Sequence, residues 1–168
     1  MPEITTASPH LTPFTASFEG TVLHAYRDPG GVITIGTGFT WFSKTFREWW
    51  MAKRGHKLRM GDVMSSKECD EVLALLIAKE YAPPVAARFR GTGIKQHEFD
   101  AATDMSFNAG PGSLRWTWAG MLAGRRVREA AERLKVTAVT AAGKKLRGLV
   151  RRRAAEALLM VEGIYSAT

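Results

Sequence analysis

Glu19 and Asp28 stand nine residues apart, and Thr34 follows six residues after Asp28. Glu19 falls at the expected end of a short helix, and Asp28 leads into the turn Pro29-Gly30-Gly31. A helix-end carboxylate facing one carried on a turn suits acid/base chemistry with two carboxylates. Glycoside hydrolysis asks for such a pair: one protonated acid on the leaving oxygen and one ionised carboxylate across the sugar. The two surroundings must hold the two acidities apart. Spacing alone carries little weight, because a glutamate at a helix end is ordinarily just solvated.

The elements that would position these groups can be read around them. Thr12-Pro13 has the form of a helix start, Thr at N-cap and Pro at N1, with Phe14 and Phe18 behind it and Gly20 close after. Val32–Ile35, β-branched and flanked by glycines, predicts a small hairpin or meander. In the stretch Trp41–Arg59, the spacing of Phe42, Phe46, Trp49 and Trp50 fits one face of a helix that Gly55 would stop. Ser65 and Glu68 form a capping box for the next helix, which Pro83-Pro84 would end or kink. Helices are expected over Gln96–Asn108, Trp116–Ala123, Val127–Leu134 and about Lys145–Met160. The last of these would place Leu146, Leu149, Val150, Ala157 and Val161 on its inner side. The expected fold class is α+β and mostly helical.

Length and composition set the outer limits. With 168 residues, 45% of them hydrophobic, the chain suits one domain with a real core. Cys69 is the sole cysteine, so an internal disulfide and thiolate-rich metal sites are excluded. His10, His24, His56 and His97 show no ligand spacing, and no metal or cofactor is expected. No apolar run is long enough to span a bilayer. The N-terminus lacks a basic stretch followed by an apolar one, so no secretory signal is visible.

The net charge of +8 is unevenly placed. Residues 1–83 carry 9 basic and 9 acidic side chains, whereas Arg115–Arg153 alone carries 12 basic and 2 acidic ones. Such a basic half attracts polyanions: nucleic acid, an anionic membrane or anionic wall polymers. A solvated helix face that keeps the protein soluble is the plainer explanation, and no nucleic-acid motif accompanies the charge.

The frame FEG-x2-L-x-AY-x-D-x-x-GV-x-TIG around Glu19, Asp28 and Thr34 resembles the phage-type lysozymes, glycoside hydrolase family 24 (T4- and P22-like endolysins and muramidases). Further blocks follow in order. Gly61-Asp62 through Leu73 resembles the family's G-x-x-I-S-x-E-x-A-x-x-L stretch. Gln96, Phe99, Asp100 and Phe107-Asn108-Ala109-Gly110 resemble its Q-x-x-F-D-A-L-x-S-F-x-F-N-x-G segment. Gly148-Leu149-x-x-Arg152-Arg153-x-x-Glu156 fits its last helix.

The resemblance implies a lysozyme-like fold over residues 1–168, a small hairpin lobe and a larger helical lobe with the active-site cleft between them. The catalytic lobe would span residues 12–64, the connecting helix 65–82 and the helical lobe 85–168. It implies Glu19 as general acid, Asp28 as the carboxylate that orients the water, and Thr34 as a hydroxyl that helps hold it. The reaction would invert the anomeric carbon, with the carboxyl groups about 6.5–9.5 Å apart. The bond cut would be the β-1,4 link between N-acetylmuramic acid and N-acetylglucosamine of peptidoglycan. Arg152 would pair with Glu19, and Thr40, Phe107 and Asn108 fall at substrate-cleft positions. Arg151 reads instead as part of a solvated basic face.

Two departures stand out. Thr37-Gly38-Phe39-Thr40 replaces the family's usual Y-G-H-T, which removes a polar anchor of the hairpin. Trp41–Arg59 is extra length, an aromatic helical insertion: a sugar-stacking lip, a docking surface for a protein partner, or aromatics that simply pack the insertion down. Two functions follow: a lytic muramidase, or a domesticated domain of the same fold that binds peptidoglycan or a partner with little or no lysis. A monomer is expected. It would be made in the cytoplasm and would reach the wall in the periplasm through a holin-like pore or another route.

Overall fold

The computed structural model describes residues 2–166. Helix α1 spans Leu11–Ala16. Its N-cap is His10 rather than the expected Thr12, and the Leu11 N–H bonds to the Ser8 carbonyl at 3.1 Å. Pro13 therefore sits within the first turn, where a missing N–H is no loss.

Strands β1 (Val22–Arg27), β2 (Ile33–Gly36) and β3 (Phe39–Thr40) form an antiparallel sheet in the order β1-β2-β3. Tyr26 and Thr40 flank Thr34 from the two neighbouring strands. Gly36 is a position that only glycine fills. Its φ is +66°, and a Cβ there would lie 2.7 Å from the Phe39 ring and 3.1 Å from Cys69 Sγ.

The aromatic insertion forms α2 (Lys44–Arg54). Ser43 Oγ accepts the Phe46 N–H, and Gly55 closes the helix at φ +74°. Phe46, Trp49 and Trp50 are buried, but Phe42 precedes the helix and is 82% exposed. The expected face therefore loses one member, because the chain turns at Ser43 before helical periodicity begins. Phe39, at the place of the lost histidine, is buried and stacks on Phe46 with ring centroids 5.6 Å apart. An apolar anchor thus fastens the hairpin. Arg54 grips Glu68 with Nη1 at 3.0 Å and Nη2 at 2.8 Å, and its guanidinium lies 4.8 Å over Trp50.

Helix α3 (Ser66–Leu76) starts with the expected capping box of Ser65 and Glu68. A π-helical turn, Ile77–Tyr81, runs straight into α4 (Ala82–Arg88). Pro83 and Pro84 thus open a helix instead of ending one. The Ala82 N–H reaches back five residues to the Ile77 carbonyl, which absorbs the register change.

Helix α5 (Gln96–Ala109) is buried at every position from Glu98 to Ser106. A helix buried all round must pair its charges, and each acid here reaches a different segment. Glu98 takes Arg125 Nη1 at 2.8 Å. Asp100 accepts the Ser8 hydroxyl and the Tyr165 hydroxyl, both at 2.5 Å, tying the two outer segments of the chain to one carboxylate. Asp104 takes Arg152.

A 3₁₀ turn (Pro111–Arg115), α6 (Thr117–Ala123) and α7 (Val127–Lys135) follow. A short hairpin of β4 (Thr140–Ala141) and β5 (Lys144–Lys145), absent from the sequence expectation, shifts the start of α8 to Arg147. Helix α8 (Arg147–Glu162) packs on α5 and α7. Its inner side differs from the expected apolar stripe. Leu146 is exposed before the helix begins, while Arg152, Arg153 and Glu156 are buried with Ala155, Ala157, Leu159 and Met160. The polar face of α8 turns inward because Asp104 and Asn108 on α5 stand ready to pair with it. Two of the twelve bases in Arg115–Arg153 are therefore interior, and the basic surface is smaller than the charge count implied.

Among the described residues no helix is long and apolar enough to cross a membrane, and no cluster of His, Cys, Asp or Glu could hold a metal ion.

Candidate active site

Helix α1 ends at Ser17, and backbone turns through Phe18 and Glu19 deliver the Glu19 side chain to a cleft. This cleft measures about 270 Å³ and is lined by Phe18, Glu19, Asn108, Leu149, Arg151 and Arg152, among others. A larger groove of about 420 Å³ lies between α7 and α8, floored by alanines such as Ala131 and Ala154. Size therefore does not select the site; the chemistry of its walls does.

The Glu19 side chain retains 26% exposure, open to the cleft on one side. On the other, Arg152 Nη1 donates to Glu19 Oε1 at 2.5 Å. Arg152 is itself only 3% exposed, and its remaining N–H groups go to Asp104: Nε to Oδ2 at 2.9 Å and Nη2 to Oδ1 at 3.0 Å. The Thr15 hydroxyl adds a third bond to Asp104 at 2.7 Å. The Arg152 guanidinium also lies 5.2 Å from the Phe18 ring.

Behind this pair lies a second one. Arg153 Nη2 donates to Glu156 Oε2 at 3.0 Å and to Asn108 Oδ1 at 2.6 Å. Arg153 Nε stands 2.8 Å from Glu156 Oε1, off the line of a hydrogen bond, so that contact is mainly coulombic. Burial pushes the Glu156 carboxyl well above its ordinary range, and a hydrogen bond to the charged Asp104 raises it further. Burial also pushes Asp104 upward, but the Glu156 hydrogen bond and Arg152 outweigh it and leave Asp104 below its usual range. The opposite directions make Asp104 the readier of the two to ionise and Glu156 the readier to hold a proton. Burial opposes the charge of Arg152, yet Asp104 and Glu19 together hold its pKa above the ordinary value.

Asp28 opens the hairpin turn between β1 and β2. Its backbone N–H bonds to the Val32 carbonyl, and its Oδ1 accepts the Val32 N–H, both at 2.9 Å. Thr34, buried in β2, turns its hydroxyl to the same Val32 carbonyl at 3.0 Å. Val32 thus joins the two side chains through backbone groups. Thr40, half-buried, is the cross-strand partner of Thr34.

The structure brings Glu19, Asn108 and Arg152 to one cleft, and it groups Asp28, Thr34 and Thr40 on the sheet. Phe107 is half-buried and packs on Tyr81 of the π-helical turn, with ring centroids 4.9 Å apart. Burial raises the Tyr81 hydroxyl's pKa, with Glu80 and Glu19 adding to it, so Tyr81 belongs to the surroundings of Glu19. Arg151 is exposed, in line with a solvated face.

Sequence reasoning gave no role to Thr15, Tyr81, Asp104, Arg153 and Glu156. One signal was available for three of them. Arg153 and Glu156 are three apart on a helix, and Asp104 sits within an otherwise apolar helical stretch, a placement that demands a partner.

Solved structures of similar shape are endolysins and muramidases. An endolysin from Escherichia coli O157:H7 phage FAHEc1 superposes with TM-score 0.77 at 24% identity, covering 99% of both chains. The muramidase domain of SpmX from Asticaccaulis excentricus gives 0.73 at 23%, covering 95% of this chain and 99% of that one. A variant of P22 lysozyme gives 0.74 at 22%, covering 94% and 99%. At such identities the likeness establishes the lysozyme-like fold. No curated protein matches the chain by sequence. The sequence profile of the phage lysozymes, however, matches residues 16–156, from the last residue of α1 through the buried glutamate of α8, and the chain belongs to the phage lysozyme family.

Proposed function

We propose that the protein is a lytic muramidase that hydrolyses the β-1,4 bond between N-acetylmuramic acid and N-acetylglucosamine of peptidoglycan. The observation that carries this reading is Glu19, open to the cleft on one face and backed by a buried arginine on the other. Protonated Glu19 gives its proton to the glycosidic oxygen as that bond breaks. The Asp28 carboxylate takes a proton from a water as the water's oxygen bonds to the anomeric carbon from the opposite face. Configuration inverts, and the proton taken by Asp28 passes to solvent as solvent returns one to Glu19. The Thr34 hydroxyl and the adjoining Thr40 line the water's side, while Asn108 and Phe107 border the sugars. Arg152 stabilises the carboxylate that Glu19 becomes. This chemistry uses side chains alone and calls for no cofactor.

The hairpin unit of residues 12–64, the helical path after it and the unit of residues 85–168 would clasp the glycan between them. Exposed Lys144, Lys145 and Arg147 suit the anionic peptide stems of the wall. The enzyme would meet this substrate in the periplasm after release through a holin-like pore, and would act as a monomer.

The test is loss of turbidity of chloroform-treated Gram-negative cells and of purified peptidoglycan. Glu19→Gln should lower the rate ~100-fold or more, with melting temperature retained. Wild-type protein that clears neither substrate would leave the fold serving as a binding module. Clearing by Glu19→Gln at the wild-type rate would remove Glu19 as the acid.

A further inference from the structure

Glu19 meets Arg152 through Nη1 alone, so something else must fix where that guanidinium points. A free arginine side chain has many rotamers and would follow its partner carboxylate as the partner moves. Here the other edge of the guanidinium, Nε and Nη2, is bonded to Asp104 in bidentate form. Asp104 in turn is fully buried and held by Thr15 from α1.

We propose that Asp104 is a positioning residue for the catalytic acid: it clamps Arg152 from behind and so fixes the guanidinium against which Glu19 develops its charge. The inference rests on Glu19 being the acid. Its physics has two parts. The clamp aims Nη1 at the spot where Glu19 develops charge, so stabilisation of the product carboxylate requires no rearrangement. The charge of Asp104 also offsets that of Arg152, which would otherwise favour ionised Glu19 strongly.

The groups facing this arrangement are Thr15 and Phe18 beside α1, Tyr81 from the π-helical turn, Asn108 from α5, and Arg153 and Glu156 from α8. Arg152 faces both Asp104 and Glu19, while Arg153 faces Glu156 and Asn108. With Glu19 protonated and Arg153 paired with Glu156, ionised Asp104 is the group that balances the Arg152 charge.

Activity needs protonated Glu19 and fades as pH rises past the point where it ionises. Replacing Asp104 with a neutral residue leaves the Arg152 charge uncompensated, and Glu19 then ionises at lower pH. In Asp104→Asn the alkaline limb of kcat/KM should move down by about one pH unit. The value of kcat should fall about tenfold, with KM within about twofold, because the loosened guanidinium no longer meets Glu19 squarely. Asp104→Ser should move the limb the same way. A lower melting temperature with an unmoved limb and unchanged kcat would make Asp104 merely structural and overturn the proposal.

Should neither variant fold, wild-type protein labelled with ¹⁵N-arginine decides. The Nε–H signal of Arg152, bonded to Asp104, should persist in slow exchange across the pH range in which lysis falls away. Its loss there would show that the guanidinium follows Glu19, against the proposal. This signal is independent of catalysis, so it stays readable even if Glu19→Gln proves lytic and the reading of Glu19 as the acid fails.

Discussion

Arg152 and Arg54 are built alike and do different work. Each grips one carboxylate with two N–H groups and lies against an aromatic ring: Asp104 and Phe18 for Arg152, Glu68 and Trp50 for Arg54. The difference is the remaining contact and the depth. Arg54, a quarter exposed, sends its further bond to the Val63 carbonyl and so fastens the insertion to the chain before α3. Arg152, almost wholly buried, sends its own to the cleft. One device thus serves as a staple where its third arm meets backbone, and reaches a cleft where that arm meets the partly open Glu19 side chain.

The contrast can be broken at several points. Removing the buried cation should have the largest effect. Arg152→Met strands Asp104 and should lower unfolding free energy by about 3–5 kcal/mol in denaturant titrations, with lysis abolished. Losing no more than Arg54→Met does would erase the distinction in depth. That surface variant should cost about 1 kcal/mol and leave the lytic rate per folded molecule intact.

Acid should separate the two arginines further. Arg54 holds Glu68 down to about 2 from an ordinary 4.5, by hydrogen bonding that outweighs burial. A lowered carboxylate stabilises the fold above 4.5, and that contribution drains away as pH falls toward 2. Melting temperature should drop over this window in wild type, and Arg54→Met should lack that part of the drop.

Glu156 moves the opposite way. A carboxyl raised by burial favours the fold fully below its ordinary pKa, and this advantage is lost as pH rises through its raised value. Glu156→Gln should therefore remove a decline in melting temperature that sets in as pH rises above the ordinary 4.5. Phe42→Ala marks the small end, within about 0.5 kcal/mol, since its ring is exposed.

The same contrast separates what could be read from the sequence from what could not. The Ser65 capping box, the stop at Gly55 and the buried Phe46, Trp49 and Trp50 follow from local rules and stand in the structure. Helix α8 defeated those rules. An apolar stripe was expected where Arg152, Arg153 and Glu156 turn inward, because Asp104 and Asn108, which pair with the two arginines, sit more than forty residues away on α5. Family resemblance picked out Arg152 but not Asp104, whose partner lies on another helix 48 residues away. The β4–β5 hairpin escaped notice since two-residue strands, exposed on both sides, leave no alternating pattern. Phe42 belonged to the right helical spacing and the wrong side of the N-cap.

The double attachment at Asp100 has a topological consequence. Ser8 Oγ and the Tyr165 hydroxyl stand 3.4 Å apart across a separation of 157 residues, so residues 8–165 already close as a noncovalent loop. Sealing that loop through a short peptide linker would ask little of the native state and would deprive the unfolded chain of much of its freedom, by about 4–5 kcal/mol for a loop of such length. A circular form of this protein should accordingly withstand heat that melts the linear one, and any new ends would be best cut in the exposed β4–β5 hairpin.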